Sequence, residues 1–542
     1  MLLLNIEQGW ACQHEFDAST SLIDGSDFLP GDTVCLKAGN WNYIQFRNIQ
    51  GTEEQPIIIR NSEGAVIINT DWYYGIKLNN CKHLKITGTG EKQFTYGIVV
   101  QSVANQHGCG MTIDAMSTNV EVEFVEISNT GIAGIYAKTE PDYLGDCTFP
   151  AVRDSFTMYN TIIHHCYLHD IGDEGFYIGS SKYSGQTVYH CGDTIVLPHV
   201  MIGVKIYNNV LENIGWDGIQ VGSAVKDCEI FNNTVIHDSQ EEEDFQMSGI
   251  LIGGGSACDC YNNKIIEGKG DGIDFLGLEG IRIFNNLIVS PGYNFQNGVP
   301  ADQHQKHGIW VGELQTANEQ EMNIYNNTII SPRTFGIKLA NTAFTGNIIR
   351  NNIISDPGGY PVFGEASYIN LLYPSISVTQ SNNLENTDTS LVGFVNPAQH
   401  NYDLHYYSPA VNTGADVSHM NLVDDLLSRF RPFDSKYDIG AYECQDSTLF
   451  AIDEADAPAV SHRIYPNPAG DETMLSIYMN KKTNLHIEIL DNLGNLQKSV
   501  YDGPVDLGRN IIKLELQTLE PGHYIYCISS EEFKTTGKLI IK

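Results

Sequence analysis

With 542 residues, 51 of them glycine, and only 18% charged, the chain is too long for one ordinary core and too poor in helix formers for a helical repeat. Its 66 acidic residues against 31 basic ones, a formal charge of -35, repel nucleic acid and anionic membranes and exclude nucleic-acid binding. No run of about 18 apolar residues occurs, so an integral membrane protein is not expected, and the twelve cysteines form neither a CxxC metal pattern nor a small disulfide scaffold.

Met1-Leu2-Leu3-Leu4 is too short for a signal-peptide core, so an exported chain is expected to have carried a leader ahead of this start. His14 to Leu22 is expected to form a short amphipathic helix that plugs the end of a repeat beginning near residue 25. From there to about 400 the sequence echoes itself. Gly75-Ile76-Lys77-Leu78, Gly97-Ile98-Val99-Val100 and Gly134-Ile135-Tyr136 open a series continued by Gly175-Phe176-Tyr177-Ile178, Gly218-Ile219-Gln220-Val221, Gly249-Ile250-Leu251-Ile252, Gly272-Ile273-Asp274-Phe275, Gly308-Ile309-Trp310-Val311 and Gly336-Ile337-Lys338-Leu339. Alternation sends the aliphatic residues inward and lines up Tyr177, Gln220, Leu251, Asp274, Trp310 and Lys338 outside, one per coil.

A second series, Asn-Asn at 208, 232, 262, 285, 326, 351 and 382, follows short strands such as Lys205-Ile206-Tyr207, with steps of 24, 30, 23, 41, 25 and 31 residues. A minimal step near 23 suits a coil of three short strands and three turns. Asparagine at one corner tolerates a left-handed turn and hydrogen-bonds along the stack. His165 takes the place of the first asparagine one coil earlier. The expected fold is therefore all-β, a parallel β-helix over 1–445 with an N-terminal cap.

Insertions at 237–248 and 290–307 enlarge the turn before the Gly-Ile strand, and insertions at 137–159 and 180–203 the turn after it. They are expected to wall a groove suited to an extended polymer. Just before the strands stand Glu174, Asp217, Ser248, Asp271 and His307. Catalytic candidates are Asp274, Asp271, Asp217, Glu174 and His307. Asp before Gly is also a favoured turn pair, whereas a mid-strand Asp274 serves no turn and is disfavoured in strands. Tyr177, Gln220, Trp216, Trp310 and Lys338 are candidates for holding substrate, the aromatics by stacking on sugar rings. His164, His165, His169 and His190 lie near the acidic turn 170–174 and are weighed for a catalytic or metal role. No cofactor is required; calcium is an option at Glu241-Glu242-Glu243-Asp244, although a solvated charge run is the favoured reading of it. Cys228 with Cys258, and Cys147 with Cys191, are expected disulfides.

Residues 446–460 read as a linker without apolar period. Residues 461–542 alternate in runs such as Leu485-His486-Ile487-Glu488-Ile489-Leu490, broken by Asn492-Leu493-Gly494-Asn495 and Glu520-Pro521-Gly522, the pattern of a small β-sandwich.

The coil pattern, together with Pro30-Gly31-Asp32-Thr33-Val34 at its start and Ser408-Pro409-Ala410-Val411-Asn412, Arg431-Pro432 and Tyr437-Asp438-Ile439-Gly440 near its end, resembles the right-handed parallel β-helix superfamily of pectate lyases, polygalacturonases, chondroitinase B and alginate lyases. That resemblance implies fold more than function. Tyr465-Pro466-Asn467-Pro468-Ala469, Asp491-Asn492-Leu493-Gly494, Leu519-Glu520-Pro521-Gly522-His523-Tyr524 and Lys538-Leu539-Ile540-Ile541-Lys542 resemble the type A C-terminal sorting domain of the type IX secretion system. This implies export to the medium or cell surface through that machinery.

The sequence thus points to a secreted or surface-attached, carbohydrate-active monomer that binds a polysaccharide. Glycoside hydrolysis, with an acid and a base from the four carboxyls, suits the acidic excess. A calcium-assisted lyase for uronic-acid polymers needs positive charge, and the groove looks poor in it, with Lys338 outward and Lys306 and Arg333 in nearby turns. A noncatalytic adhesin or glycan-binding protein is the third reading.

Overall fold

The computed structural model describes residues 11–278, 280, 282–296, 305–312, 322–342, 346–358, 367–433, 436–445, 462–465, 469–470, 472–479, 481–491, 494–506, 508–530 and 533–541. The chain separates into two compact units, 1–393 with 439–441, and 394–438 with 442–542.

The first unit is a three-sided parallel β-helix. Its first face stacks Lys205–Tyr207, Cys228–Phe231, Cys258–Tyr261, Arg282–Phe284 and Asn323–Tyr325 in parallel register. The second stacks Val210–Ile214, Thr234–Ile236, Lys264–Ile266, Leu287–Val289 and Thr328–Ile330. Near the N-terminal end, Ile57–Thr70 runs through the corner and joins both faces into one 23-stranded sheet. The third face is a separate sheet of 12 strands from Leu22–Asp24 to Ile369–Leu371 and holds the Gly-Ile strands, with one correction: Ile98–Val103 lies on the second face, paired with Val125–Thr130, and Cys109–Asp114 takes its expected place.

The asparagine pairs divide their work at the corner between the first two faces. The first member, Asn208, Asn232, Asn262, Asn285, Asn326, Asn351 or Asn382, adopts a left-handed backbone with φ between 49° and 57°, which asparagine tolerates better than most residues. The second turns inward. Asn209, Asn233, Asn263, Asn286, Asn327 and Asn352 each donate from Nδ2 to the next Oδ1 in the stack over 2.9–3.1 Å. Inside, Ile206, Ile230, Ile265, Ile288, Ile324 and Ile329 exclude solvent almost completely, each contributing roughly 2 kcal/mol of burial. Glycine opens nine of the twelve third-face strands, because there the wall is too close for a side chain. A Cβ on Gly218 would meet the Gly249 carbonyl oxygen at 2.5 Å and Val235 Cγ1 at 2.6 Å.

The expected N-terminal helix is a correction. His14–Phe16 and Leu22–Asp24 are strands, paired in parallel with Thr33–Trp41 and Ile44–Arg47. An exposed sheet edge offers nine-residue Thr33–Trp41 as a template, and ladder hydrogen bonds outweigh the weak helical preference of so short a segment. Phe16 and Phe28 pack against the core at this end, and a disulfide between Cys12 and Cys35, which sequence reasoning missed, ties the first strand to the second rung.

Two further disulfides join Cys147 to Cys191 and Cys228 to Cys258, as expected, the latter between residues in register on adjacent rungs. The other six cysteines are buried thiols. Alkylation of the native, unreduced protein is expected to label no cysteine; denaturant alone should expose six and denaturant with reductant all twelve, and mass spectrometry after each step checks this.

In the second unit, His462–Tyr465, Glu472–Met479 and Gly508–Glu515 form one antiparallel sheet. Leu496–Val505, Thr483–Leu490, Gly522–Ser529 and Lys534–Ile541 form another. Leu475, Ile477, Ile487, Ile489, Leu514, Ile528 and Leu539 fill the sandwich core between them. The linker 446–460, the opening Met1-Leu2-Leu3-Leu4 and the Pro466-Asn467-Pro468 stretch lie outside the described residues.

Candidate functional site

Register on the third face aligns Tyr177, Gln220, Leu251, Asp274, Trp310 and Lys338 on successive rungs. The loops flank this row. On one side, Thr157–Tyr159, Val200–Ile202 and Ala224–Lys226 add a small parallel sheet, and a hairpin of Gln186–Val188 with Thr194–Val196 stands beyond it, stapled by Cys147 and Cys191. On the other, the loop after His237 is anchored by an ion pair of Glu242 with Lys269 at 3.0 Å.

A cleft of about 530 Å³ opens over the C-terminal half of the row. Asp271, Asp274, Trp310 and Lys338 line it with Leu251 and Leu276, and Asp244, Phe245, Met247, Gln305, Lys306 and His307 complete the lining. Five of the ten sequence candidates, Asp271, Asp274, His307, Trp310 and Lys338, thus come together. The other five do not line this cleft. Asp217 lies two rungs from Asp271, about 10 Å along the axis, and is fully buried, accepting a hydrogen bond from Ser248 Oγ at 2.7 Å. Glu174 lies one rung further. Tyr177 packs edge-on to Tyr136 with the Lys138 ammonium 4.3 Å from its ring centre. Gln220 is buried beside it, and Trp216 is half-buried on the turn before its strand.

The two cleft aspartates differ in company. Asp271 accepts a hydrogen bond from the His307 backbone N–H and pairs with Lys306 Nζ at 3.4 Å, all three being buried. Burial pushes its carboxyl up and Lys306 opposes this. Asp274 is 8% exposed, and its Oδ1 is buried without a hydrogen-bond partner among the described residues. Burial and then the charge of Asp271 hold its carboxyl well above the usual range. Beside it, the Trp310 indole N–H is likewise buried and unpartnered. Such orphaned groups carry a cost that a bound ligand would remove.

His307 is held neutral, its pKa pushed well down by burial and by Lys338 and Lys306. Thr334 donates its hydroxyl proton to the Lys306 carbonyl at 2.7 Å and lies 2.8 Å from His307 Nδ1. With that proton spent, Nδ1–H is the donor and Nε2 keeps its lone pair. The Lys338 ammonium donates to Gln305 Oε1 at 2.7 Å, and burial lowers its pKa.

The impression of a cleft poor in positive charge is corrected by Lys306, which periodicity could not place because it sits in an irregular loop. Arg333 instead shapes the wall, donating to the Gly292 and Phe295 carbonyls. Phe245 also escaped sequence reasoning; it stands 94% exposed at the cleft rim with a left-handed φ of 66°. The four histidines do not gather into one site, although His164 and His165 meet with their Nδ1 atoms 2.7 Å apart. His164 sits on the outer first face between Glu121 at 3.2 Å and Glu123 at 3.5 Å, where Lys85 also binds both. His165 fills the corner position below Asn208, and His190 pairs with Asp142 at 2.6 Å.

Residues 193–387 match the family model of the right handed beta helix region, and residues 463–542 match that of the secretion system C-terminal sorting domain. The chain is a right-handed β-helix protein with a type IX sorting tail. The tail makes this β-helix protein a secreted or cell-surface one, and no helix among the described residues is long and apolar enough to cross a membrane. A comparison with curated proteins finds no match. Among solved structures, it is similar to the enzymatically active domain of bacteriophage CBA120 tailspike protein 2, at 9% identity over 94% of this chain and 71% of that one, with a TM-score of 0.30.

Burial also sets a pH dependence for the β-helix protein. Desolvation raises the Glu174 carboxyl to about 7 and the Asp238 carboxyl to about 6. Between the ordinary carboxylate range and these values the folded state holds protons that the unfolded state has lost, so stability falls as pH rises from 5 to 8. Glu174→Gln is expected to flatten this fall by about 3 kcal/mol, as read from denaturant unfolding at the two pH values.

Proposed function

We propose that the β-helix unit is a glycoside hydrolase acting on an extended polysaccharide, with Asp274 as general acid and Asp271 as the carboxylate that activates water or attacks the sugar. The observation that carries this reading is the unequal pair: one buried carboxyl beside a lysine, one with no cation in pairing distance among the described residues. Glycosidic cleavage needs one carboxyl protonated and one ionised, and unequal surroundings supply that division at neutral pH. Lys306 favours the ionised form of Asp271, while the proton on Asp274 is retained for the leaving oxygen. Trp310 offers a ring face and an N–H donor on the rung after Asp274, and Phe245 offers a second ring at the rim. No cofactor is required in this reading; calcium at Glu241-Glu242-Glu243-Asp244 would be a structural addition, and the substrate partner would be bound by a monomer.

A lyase acting on uronic-acid polymers is favoured by one observation, the lowered pKa of Lys338 in the cleft, which suits a base. Purified protein should be screened on plant, algal and animal polysaccharides with and without chelator. Reducing ends without ultraviolet-absorbing products support hydrolysis; unsaturated uronides would replace it with elimination, and binding without turnover would leave a glycan-binding protein.

A further inference from the structure

The third face carries a second cluster of aromatic residues at its other end. Trp72 and Tyr73 precede the third strand of the sheet, Tyr74–Asn79, and stand 46% and 56% exposed. The Trp72 ring stacks with Tyr43 from the rung before, centroids 5.8 Å apart and planes 16° from parallel, and meets Tyr73 edge-on at 5.8 Å. Tyr74 packs edge-on against Tyr43 at 5.6 Å. Beside the rings, Gln45 Oε1 accepts from the Tyr74 hydroxyl at 3.3 Å and from Arg47 Nη2 at 3.1 Å. Gln45 and Lys77 follow Leu22 in the same outward row that later carries Asp274, Trp310 and Lys338.

Nothing in the fold of the unit calls for these rings. Two large aromatic side chains left half in water contribute little core burial, and a contiguous patch of this kind marks a binding surface. Its composition is that of a sugar-binding surface: ring faces for the C–H faces of pyranoses, with planar amide and guanidinium groups at the edge for their hydroxyls. Six strand steps separate Tyr74–Asn79 from Asp271–Phe275 along the sheet, about 29 Å at the usual strand spacing. Between them the row passes Tyr136 and Tyr177. A polymer laid along the sheet from the acid pair would therefore reach the rings.

We infer that Tyr43, Trp72 and Tyr73 form a second polysaccharide-binding platform, which holds the distal part of the same chain that enters the Asp271 and Asp274 cleft. The inference rests on the polysaccharide reading of that cleft, but not on turnover there. The rings tether long substrate and leave short fragments to the cleft alone.

The test uses the full chain carrying Asp274→Asn to block cleavage, with and without Trp72→Ala and Tyr73→Ala, in affinity gels containing polygalacturonate, alginate, xylan, laminarin or chondroitin sulfate. At least one polymer should retard the parent, and removing the two rings should weaken that binding about tenfold. Fragments of about four sugars, too short to span the distance, should bind both forms equally, and both should unfold at the same temperature because the rings are on the surface. Equal retardation with and without the rings, equal loss on the short fragments, or no retardation by any polymer would overturn the platform. Ring-dependent retardation of this variant, with none of these polymers cleaved by the protein that keeps Asp274, would keep the platform and remove the hydrolase. Cleavage with ring-independent binding would do the reverse.

Discussion

Asp274→Asn is expected to lower kcat on the polysaccharide substrate by about 10³-fold while changing KM little, because the amide keeps the shape of the side chain and cannot give a proton to the leaving oxygen. The position makes the effect interpretable. Asp274 lies in mid-strand between Leu251 and Trp310 and supports no turn, and its Oδ1 makes no hydrogen bond among the described residues. Removing its charge-bearing capacity therefore disturbs no structural contact, and the variant should be at least as stable as the parent. Asp271→Asn should also abolish turnover, but with a cost in stability, since it strands Lys306 buried beside a neutral group. Paired kinetics and unfolding curves of the two variants separate a chemical role from a structural one.

The second large effect is on the fold. Asn263→Ala should destabilise the β-helix by about 4 kcal/mol, a large share of a margin that is usually about 5–15 kcal/mol. Its Nδ2 donates to the Ile230 carbonyl at 2.9 Å and to Asn286 Oδ1 at 3.0 Å, and its Oδ1 accepts from the backbone and side-chain nitrogens of Asn233. Alanine would take a hydrogen bond from each of four buried partners, of which Asn286 Oδ1 keeps the Asn263 backbone N–H and Asn233 Nδ2 keeps the Ile206 carbonyl. The adjacent Asn262 gives the contrast: it supplies a left-handed φ of 56°, so Asn262→Gly should be nearly neutral. Chemical denaturation of the two variants reads the difference directly. If both were neutral, the ladder would not be what holds the rungs in register.

Most of this architecture is legible in the residues because each rung repeats one local solution. The Gly-Ile strands announce the third face, since only glycine fits where the next rung's carbonyl approaches, and alternation places Asp274 outside. The Asn-Asn pairs announce a corner, although not which asparagine turns and which stacks; that division depends on which side chain faces the core. His14–Leu22 reads locally as a helix because its strands exist only by pairing with Thr33–Trp41 and Ile44–Arg47, partners invisible to a local pattern. The site is legible in part for a related reason. Asp274, Trp310 and Lys338 ride on regular strands, whereas Lys306 and Phe245 reach the cleft from irregular loops that carry no period. Glu174 and Asp217 share the column of Asp271, but the rung count sets them too far along the axis to work with it.

In the proposed mechanism Asp274 carries a proton at neutral pH while Asp271, beside Lys306, does not. A difference infrared spectrum of the parent protein minus Asp274→Asn at pH 7 tests it most directly. A protonated-carboxyl stretch that belongs to the parent alone is expected. A difference showing only ionised carboxylate would contradict it and leave the cleft without its acid.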